Sequence, residues 1–82
     1  MNYFVYILRS TKEGSFYIGY TQNLETRLKQ HNGGRSRYTS NKGPWEVFYF
    51  ETYQDKSEAI RREKFLKKQR NVSFYMKLKN KQ

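Results

Sequence analysis

The chain has no cysteine, a single histidine, one proline and only seven acidic residues in 82 positions. Without cysteine there is no disulfide framework, no thiolate metal site and no thiol nucleophile. One imidazole, His31, excludes any centre built on several. No run reaches the roughly eighteen apolar residues of a membrane-spanning helix. The first residues also lack a positive segment followed by a long apolar stretch, so the sequence predicts a cytoplasmic protein with no membrane association. At this length there is room for one modest core, and residues 1–82 are read as a single domain without internal repeats.

Positive charge is abundant and unevenly placed. The formal net charge is +10; residues 1–60 hold eight Lys/Arg against six Asp/Glu, and residues 61–82 hold nine against one. The excess therefore belongs to the C-terminal part, including a basic tail over about residues 71–82. Such a cluster attracts polyanions, of which nucleic acid is the usual one. Taken alone, a charge run is equally well read as a solvated basic surface.

Aromatic residues organise the N-terminal half. Tyr3 to Leu8 and Phe16 to Tyr20 are rich in aromatic and branched side chains, and the break Thr11-Lys12-Glu13-Gly14-Ser15 is turn-forming. The pattern predicts a β-hairpin, with strands over about Asn2 to Arg9 and Ser15 to Thr21, and with Gly14 taking a positive φ. Period-two alternation puts Tyr6 on a face with Phe4 and Leu8, and Tyr17 on a face with Gly19. A glycine inside a strand marks close approach by a backbone or a ligand, here a phosphodiester.

Thr21 to Gly33 predicts a helix of about two and a half turns, capped by Thr21 or Asn23 and ended by glycine. Leu24, Arg27, Leu28 and His31 fall on one side of it, so Arg27 and His31 border the buried face. Arg27 as a snorkelling cation and His31 as a boundary histidine is the plainer reading of the helix alone. Asn32 to Pro44 reads as a mobile loop, whose Arg35, Arg37 and Lys42 suit phosphate contact. Trp45 to Tyr53 predicts a third strand, with Trp45, Val47 and Tyr49 on one face and Phe48 and Phe50 on the other. A second helix, capped by Asp55, runs to about Lys68 with Ala59, Ile60 and Leu66 inward. Glu63 lies among them, where a lone carboxylate needs an ion pair or a metal; Arg27 or a helix lysine could supply the pair. Six basic residues, Lys67 among them, line that helix, and a short third helix follows. The fold class is α+β: a three-stranded antiparallel sheet flanked by helices, in the order β-β-α-β-α(-α).

Phe4-Val5-Tyr6, followed eleven residues after Tyr6 by Tyr17-Ile18-Gly19, resembles the paired tripeptides of the GIY-YIG nuclease superfamily. The resemblance extends through the Arg27 and His31 helix, Arg37-Tyr38-Thr39, Gly43-Pro44-Trp45 and Ser57 to Glu63, covering roughly residues 3 to 68. It is nearest to the small stand-alone bacterial group and is also similar to the N-terminal nuclease domain of the excinuclease incision subunit. The ordered set Tyr6, Tyr17, Arg27, His31 and Glu63 is its specific part.

This resemblance implies a divalent-metal-dependent endonuclease that hydrolyses DNA phosphodiester bonds, with branched or damaged structures in repair or processing as candidate substrates. The catalytic set would be Tyr6, Tyr17, Arg27, His31 and Glu63. Glu63 would hold Mg2+ or Mn2+, Arg27 would stabilise charge on the phosphate, and Tyr6 would be the general base with Tyr17 in support. His31 is the other candidate base. The phenol would be made more acidic by Arg27, His31 and the metal. Arg35, Arg37, Lys42 and Lys67 would bind the nucleic acid, DNA in preference to RNA, and a protein partner could supply specificity. The sequence departs from the family at Phe4, in place of the first glycine, and at Tyr20, where excinuclease relatives carry lysine. It also has no asparagine about a dozen residues beyond Glu63, where Asn71 is a weak substitute. The alternative is a non-catalytic or partner-dependent nucleic-acid-binding module of the same fold.

Overall fold

Six aromatic or branched residues in succession start β1 (Tyr3–Ser10), and this strand occupies the centre of the sheet. A computed structural model describes residues 2–34 and 38–81. β1 pairs antiparallel with β2 (Phe16–Thr21) on one side and with β3 (Trp45–Tyr53) on the other, giving the order β2-β1-β3. Between β1 and β2, Gly14 takes a φ of 76°. The Ser10 hydroxyl accepts from the amides of Lys12 and Glu13, which closes the turn.

A central strand is covered on both faces, so Val5, Tyr6, Ile7 and Leu8 are all buried. Val5, Ile7, Ile18, Phe48 and Tyr49 form one core with Ala59 and Leu66 of α2 (Lys56–Gln69) and Tyr75 of α3 (Val72–Asn80). Tyr6, Leu8 and Trp45 form the other, against Leu24 and Leu28 of α1 (Leu24–Asn32). Short polar side chains start each helix: Asn23 accepts from the Thr26 amide at 3.0 Å, Asp55 from Ser57 at 3.0 Å and Asn71 from Phe74 at 3.3 Å. Asn71 is thus a helix cap and no stand-in for the family's asparagine. The architecture is the expected α+β one, β-β-α-β-α-α; the three strands lie within one residue of their expected bounds, and α1 begins three residues after Thr21.

β3 departs from strict alternation. The register with β1 shifts between Ile7, opposite Tyr49, and Leu8, opposite Val47, so Phe48 is an extra residue in a bulge. Phe48 and Tyr49 consequently both enter the α2–α3 core, while Trp45 and Val47 pack on the α1 side. Phe50 sits opposite Tyr6 and meets Phe4 edge-on at 6.0 Å. The expectation that Tyr49 shares a face with Trp45 and Val47 is corrected by that one inserted residue.

Glu51 ties β3 to α2. Its carboxylate accepts from the phenols of Tyr49 and Tyr53 and, at 2.9 Å each, from Nε and Nη2 of Arg62. Burial alone would raise this carboxyl; the Arg62, Tyr49 and Tyr53 hydrogen bonds outweigh it and hold Glu51 below the usual range. Both phenols are pushed up to about 12, by burial and then by donating to the carboxylate.

Candidate active site

Tyr6 lies directly opposite Gly19 in the β1–β2 register, and its ring crosses the glycine. A Cβ on Gly19 would fall 2.6 Å from the Tyr6 Oη and 2.9 Å from Cζ. The close approach expected at this glycine is therefore made by the Tyr6 side chain. Tyr6 is 1% exposed and comes off β1 toward α1, whose i, i+4 spacing turns Arg27 and His31 to the same side.

Two groups converge on the Tyr6 hydroxyl. His31 Nε2 is 3.1 Å away, and Arg27 donates from Nε at a long 3.4 Å. His31, 1% exposed, places Nδ1 2.9 Å from the hydroxyl of Thr39, which is wholly buried. The distances suit either tautomer of His31; in the one with Nδ1–H donating to Thr39, Nε2 accepts from the Tyr6 O–H while that oxygen accepts from Arg27. Arg27 also donates to Gln30 at 3.0 Å. The Tyr17 ring covers His31 at 4.7 Å and stands 6.4 Å from Tyr6, packing against the pair.

The protein's own groups, taken by themselves, run partly against one expectation. Burial raises the Tyr6 phenol above 10; the hydrogen bond and charge of Arg27 act against this, and the charges of Tyr17 and Glu63 add to it. His31 is pushed down to about 4, by burial first and then by the Arg27 charge. Its imidazole is therefore neutral, an acceptor and not a cation that would acidify Tyr6. Arg27 is raised further, chiefly by its hydrogen bond to Tyr6.

Glu63 points inward from α2 with 14% of its side chain exposed, near enough for its charge to act on Tyr6. Its Oε2 is 3.5 Å from Nζ of Lys67, the helix-lysine partner foreseen in the sequence. A carboxylate in one loose ion pair keeps oxygen lone pairs for a hard cation, and magnesium commonly takes one or two carboxylates and fills its shell with water and phosphate oxygens. Glu63 could contribute one carboxylate to such an ion; no group of three His, Cys, Asp or Glu side chains suited to a metal occurs among the described residues.

Of the expected nucleic-acid contacts, Lys67 stands beside Glu63, and Lys42 sits over the Tyr38 ring at 4.1 Å. Arg35 and Arg37 lie outside the described residues. The described part of their loop is anchored: Trp45 Nε1 donates to the Thr39 carbonyl at 3.0 Å, and Asn32 bonds the Trp45 backbone at both N and O. These bonds give Thr39 and Trp45 fixed partners at the end of a segment expected to be a mobile loop. The fixing matters because it seats Thr39, which the sequence reading missed. A buried histidine with two ring nitrogens to satisfy was the signal that a second partner existed.

A family model described as the GIY-YIG catalytic domain matches residues 2–79. A UPF0213 protein of Clostridium perfringens is 49% identical over 69 residues, 83% of this chain and 72% of that protein. One from Oceanobacillus iheyensis is 47% identical over 62 residues, 74% of this chain and 71% of that protein. The solution NMR structure of a UPF0213 protein from Bacillus halodurans matches with a TM-score of 0.50 at 38% identity, covering 82% of this chain and 71% of the other. No helix among the described residues is long and apolar enough to cross a membrane.

Proposed function

The chain belongs to the GIY-YIG catalytic domain family, and on that premise we propose that it is a divalent-metal-dependent endonuclease that hydrolyses DNA phosphodiester bonds. The observation that carries this reading is the buried relay from Tyr6 through a neutral His31 to Thr39, with Arg27 at its mouth. Hydrolysis needs water deprotonated near neutral pH and charge stabilised on the phosphate.

A phenol above its ordinary pKa is a poor resident phenolate. It serves as a base by passing its own proton to His31 Nε2 while taking one from water. Thr39 holds the imidazole in the tautomer that can accept it. Tyr6 and His31, the two candidate bases, thus act in series. Arg27 presents its guanidinium to the phosphate with the rigid fork suited to that group. Tyr17 covers the imidazole and keeps water from it. Glu63 would hold the magnesium or manganese ion, which supplies Lewis-acid stabilisation of the phosphate and leaving oxygen. Lys42, Lys67, Arg35 and Arg37 would contact the nucleic-acid backbone. The setting would be DNA repair or processing.

A non-catalytic binding module is the second reading, and the observation favouring it is the Lys67 ammonium 3.5 Å from the Glu63 carboxylate. Cleavage of labelled single-stranded, duplex and branched DNA with magnesium or manganese separates the two. Wild-type products that disappear in Glu63→Ala and Tyr6→Phe are expected. Binding without cutting, or equal cutting by both variants, would end the catalytic reading.

A further inference from the structure

Tyr17 has a second environment besides His31. A groove of about 570 Å³ lies against it, lined among others by Phe16, Tyr38, Lys67, Arg70 and Val72. That volume is within the range of about 300–1,000 Å³ found for sites that enclose small organic groups. Tyr38 and Val72 are each 55% exposed, and both line this groove. The Tyr17 and Tyr38 rings are 5.7 Å apart and only 32° from parallel. The wall thus offers aromatic surface, with the Lys42 ammonium 4.1 Å over the Tyr38 ring; Lys67, which also pairs with Glu63, and Arg70 add positive charge, and none of the lining residues is acidic.

Arg70 is the second observation. It ends α2 with φ 43° and ψ 41°, the left-handed conformation that glycine or asparagine normally supplies at this position. An arginine there is strained, and its side chain lines the groove. Strained backbone of this kind clusters at functional sites.

The occupant must present a flat ring to Tyr17 and Tyr38 and an anion to Lys67 and Arg70. A base within a duplex has both faces covered by its neighbours, so within DNA the group that meets both demands is an unpaired nucleotide. We propose that this groove holds an unpaired nucleotide of a DNA strand beside the bond on which Tyr6 and His31 act, making the substrate single-stranded or locally unpaired DNA. The proposal rests on the nuclease reading for the neighbouring site.

The test is fluorescence anisotropy in EDTA, where no cutting occurs, with a short labelled single strand of mixed sequence, its duplex, and the matching RNA strand. The DNA strand should bind about tenfold more tightly than the duplex, the scale of one base stacked on an aromatic ring. Tyr38→Ala and Arg70→Gly should each remove most of that preference and leave duplex binding nearly unchanged. Arg70→Gly should also melt at or above the wild-type temperature, because glycine adopts the left-handed conformation freely, so its loss of binding is not misfolding. Equal affinity for strand and duplex, or equal losses for both in the variants, would overturn the proposal. Tighter binding of the RNA strand would overturn the assignment to DNA. Magnesium-dependent cutting by wild type without strand preference sinks the groove alone. Preference without cutting sinks the catalytic reading and leaves the groove.

Discussion

Gly19→Ala is the substitution that most directly probes the site, because the added methyl has one place to go. It would lie 2.6 Å from the Tyr6 Oη and 2.9 Å from Cζ, where carbon contacts settle at about 3.5–4.0 Å, so the ring must move by more than about half an ångström. Tyr6 has little freedom to do so, being 1% exposed and packed with Leu8 and Trp45. Overpacking costs about 1–3 kcal/mol. Weakening the Oη···Nε2 bond of 3.1 Å adds about 0.5–1.5 kcal/mol, and alanine's smaller loss of backbone freedom in a strand returns about 0.5–1 kcal/mol. The net loss is about 1–3 kcal/mol, or roughly 5–20 °C in melting temperature for a domain of this size. Cleavage well below the melting point should fall by at least about 100-fold, the lower end of what a positioned base contributes. The assay is a thermal melt by circular dichroism alongside initial cleavage rates, repeated in a Tyr6→Phe background. There the 2.6 Å contact is gone and the stability loss should shrink. A variant that melts and cuts like wild type would refute the close-packing argument. Wild-type melting with lost DNA binding would instead mean that a ligand needs the space over Gly19.

Other outcomes follow from the partners of the site and of the clamp. His31 carries a pKa lowered to about 4; between that value and the ordinary 6.5 the unfolded chain binds more protons than the folded one, so its stabilising contribution is complete above about pH 6.5 and lost as pH falls toward 4. An NMR titration of the ring should show a midpoint near 4, and a midpoint at 6 or above would contradict the burial argument. Thr39→Val removes the partner of His31 Nδ1 and should lower kcat about 10-fold or more with KM little changed, while Thr39→Ser restores it; equal rates for Val and Ser would deny Thr39 its positioning role. Glu51→Gln leaves Arg62, Tyr49 and Tyr53 without their shared carboxylate and should lose about 2–4 kcal/mol in a denaturant titration, with cleavage per folded molecule unchanged. Because the Glu51 carboxyl is held below its usual range, that stabilisation is present at neutral pH and is lost as pH falls through the folded-state value.

The sequence carried the elements and most of the site because both depend on period. Aromatic and branched residues marked Tyr3 to Leu8 as a strand and Trp45 to Phe50 as part of a sheet covered on both faces, and the spacing of Leu24, Arg27, Leu28 and His31 brought a cation and an imidazole to the buried side of one helix. What escaped has no period. The bulge at Phe48 adds one residue to an aromatic run, and nothing in WEVFYF marks which of its members is extra. Thr39 sits in a loop among Ser, Asn and Gly, its burial decided by Trp45 and Asn32 from other elements. The Glu51 clamp was legible in retrospect, since Tyr49, Glu51 and Tyr53 share one strand face at period two and Arg62 follows eleven residues later. The direction of the Tyr6 shift was not legible at all. Cations near a phenol argue for acidity, and only the depth of burial shows that desolvation prevails.

The distribution of strain bears on how the two sites can be separated by mutation. Among the described residues no buried side-chain nitrogen or oxygen lacks a partner, and the Tyr6–His31–Thr39 relay is part of the packing between the sheet and α1. Removing a relay residue therefore takes away a proton path and a structural contact together, so activity and stability fall in step. At Arg70 the sign is opposite. The backbone there is the one non-glycine positive φ among the described residues, and the side chain lies beside an open groove instead of inside a core. Replacing it with glycine relieves the backbone while removing a cation. A loss of single-strand binding at Arg70 accompanied by a gain in melting temperature would thus be a functional effect free of structural damage, which no relay variant can provide.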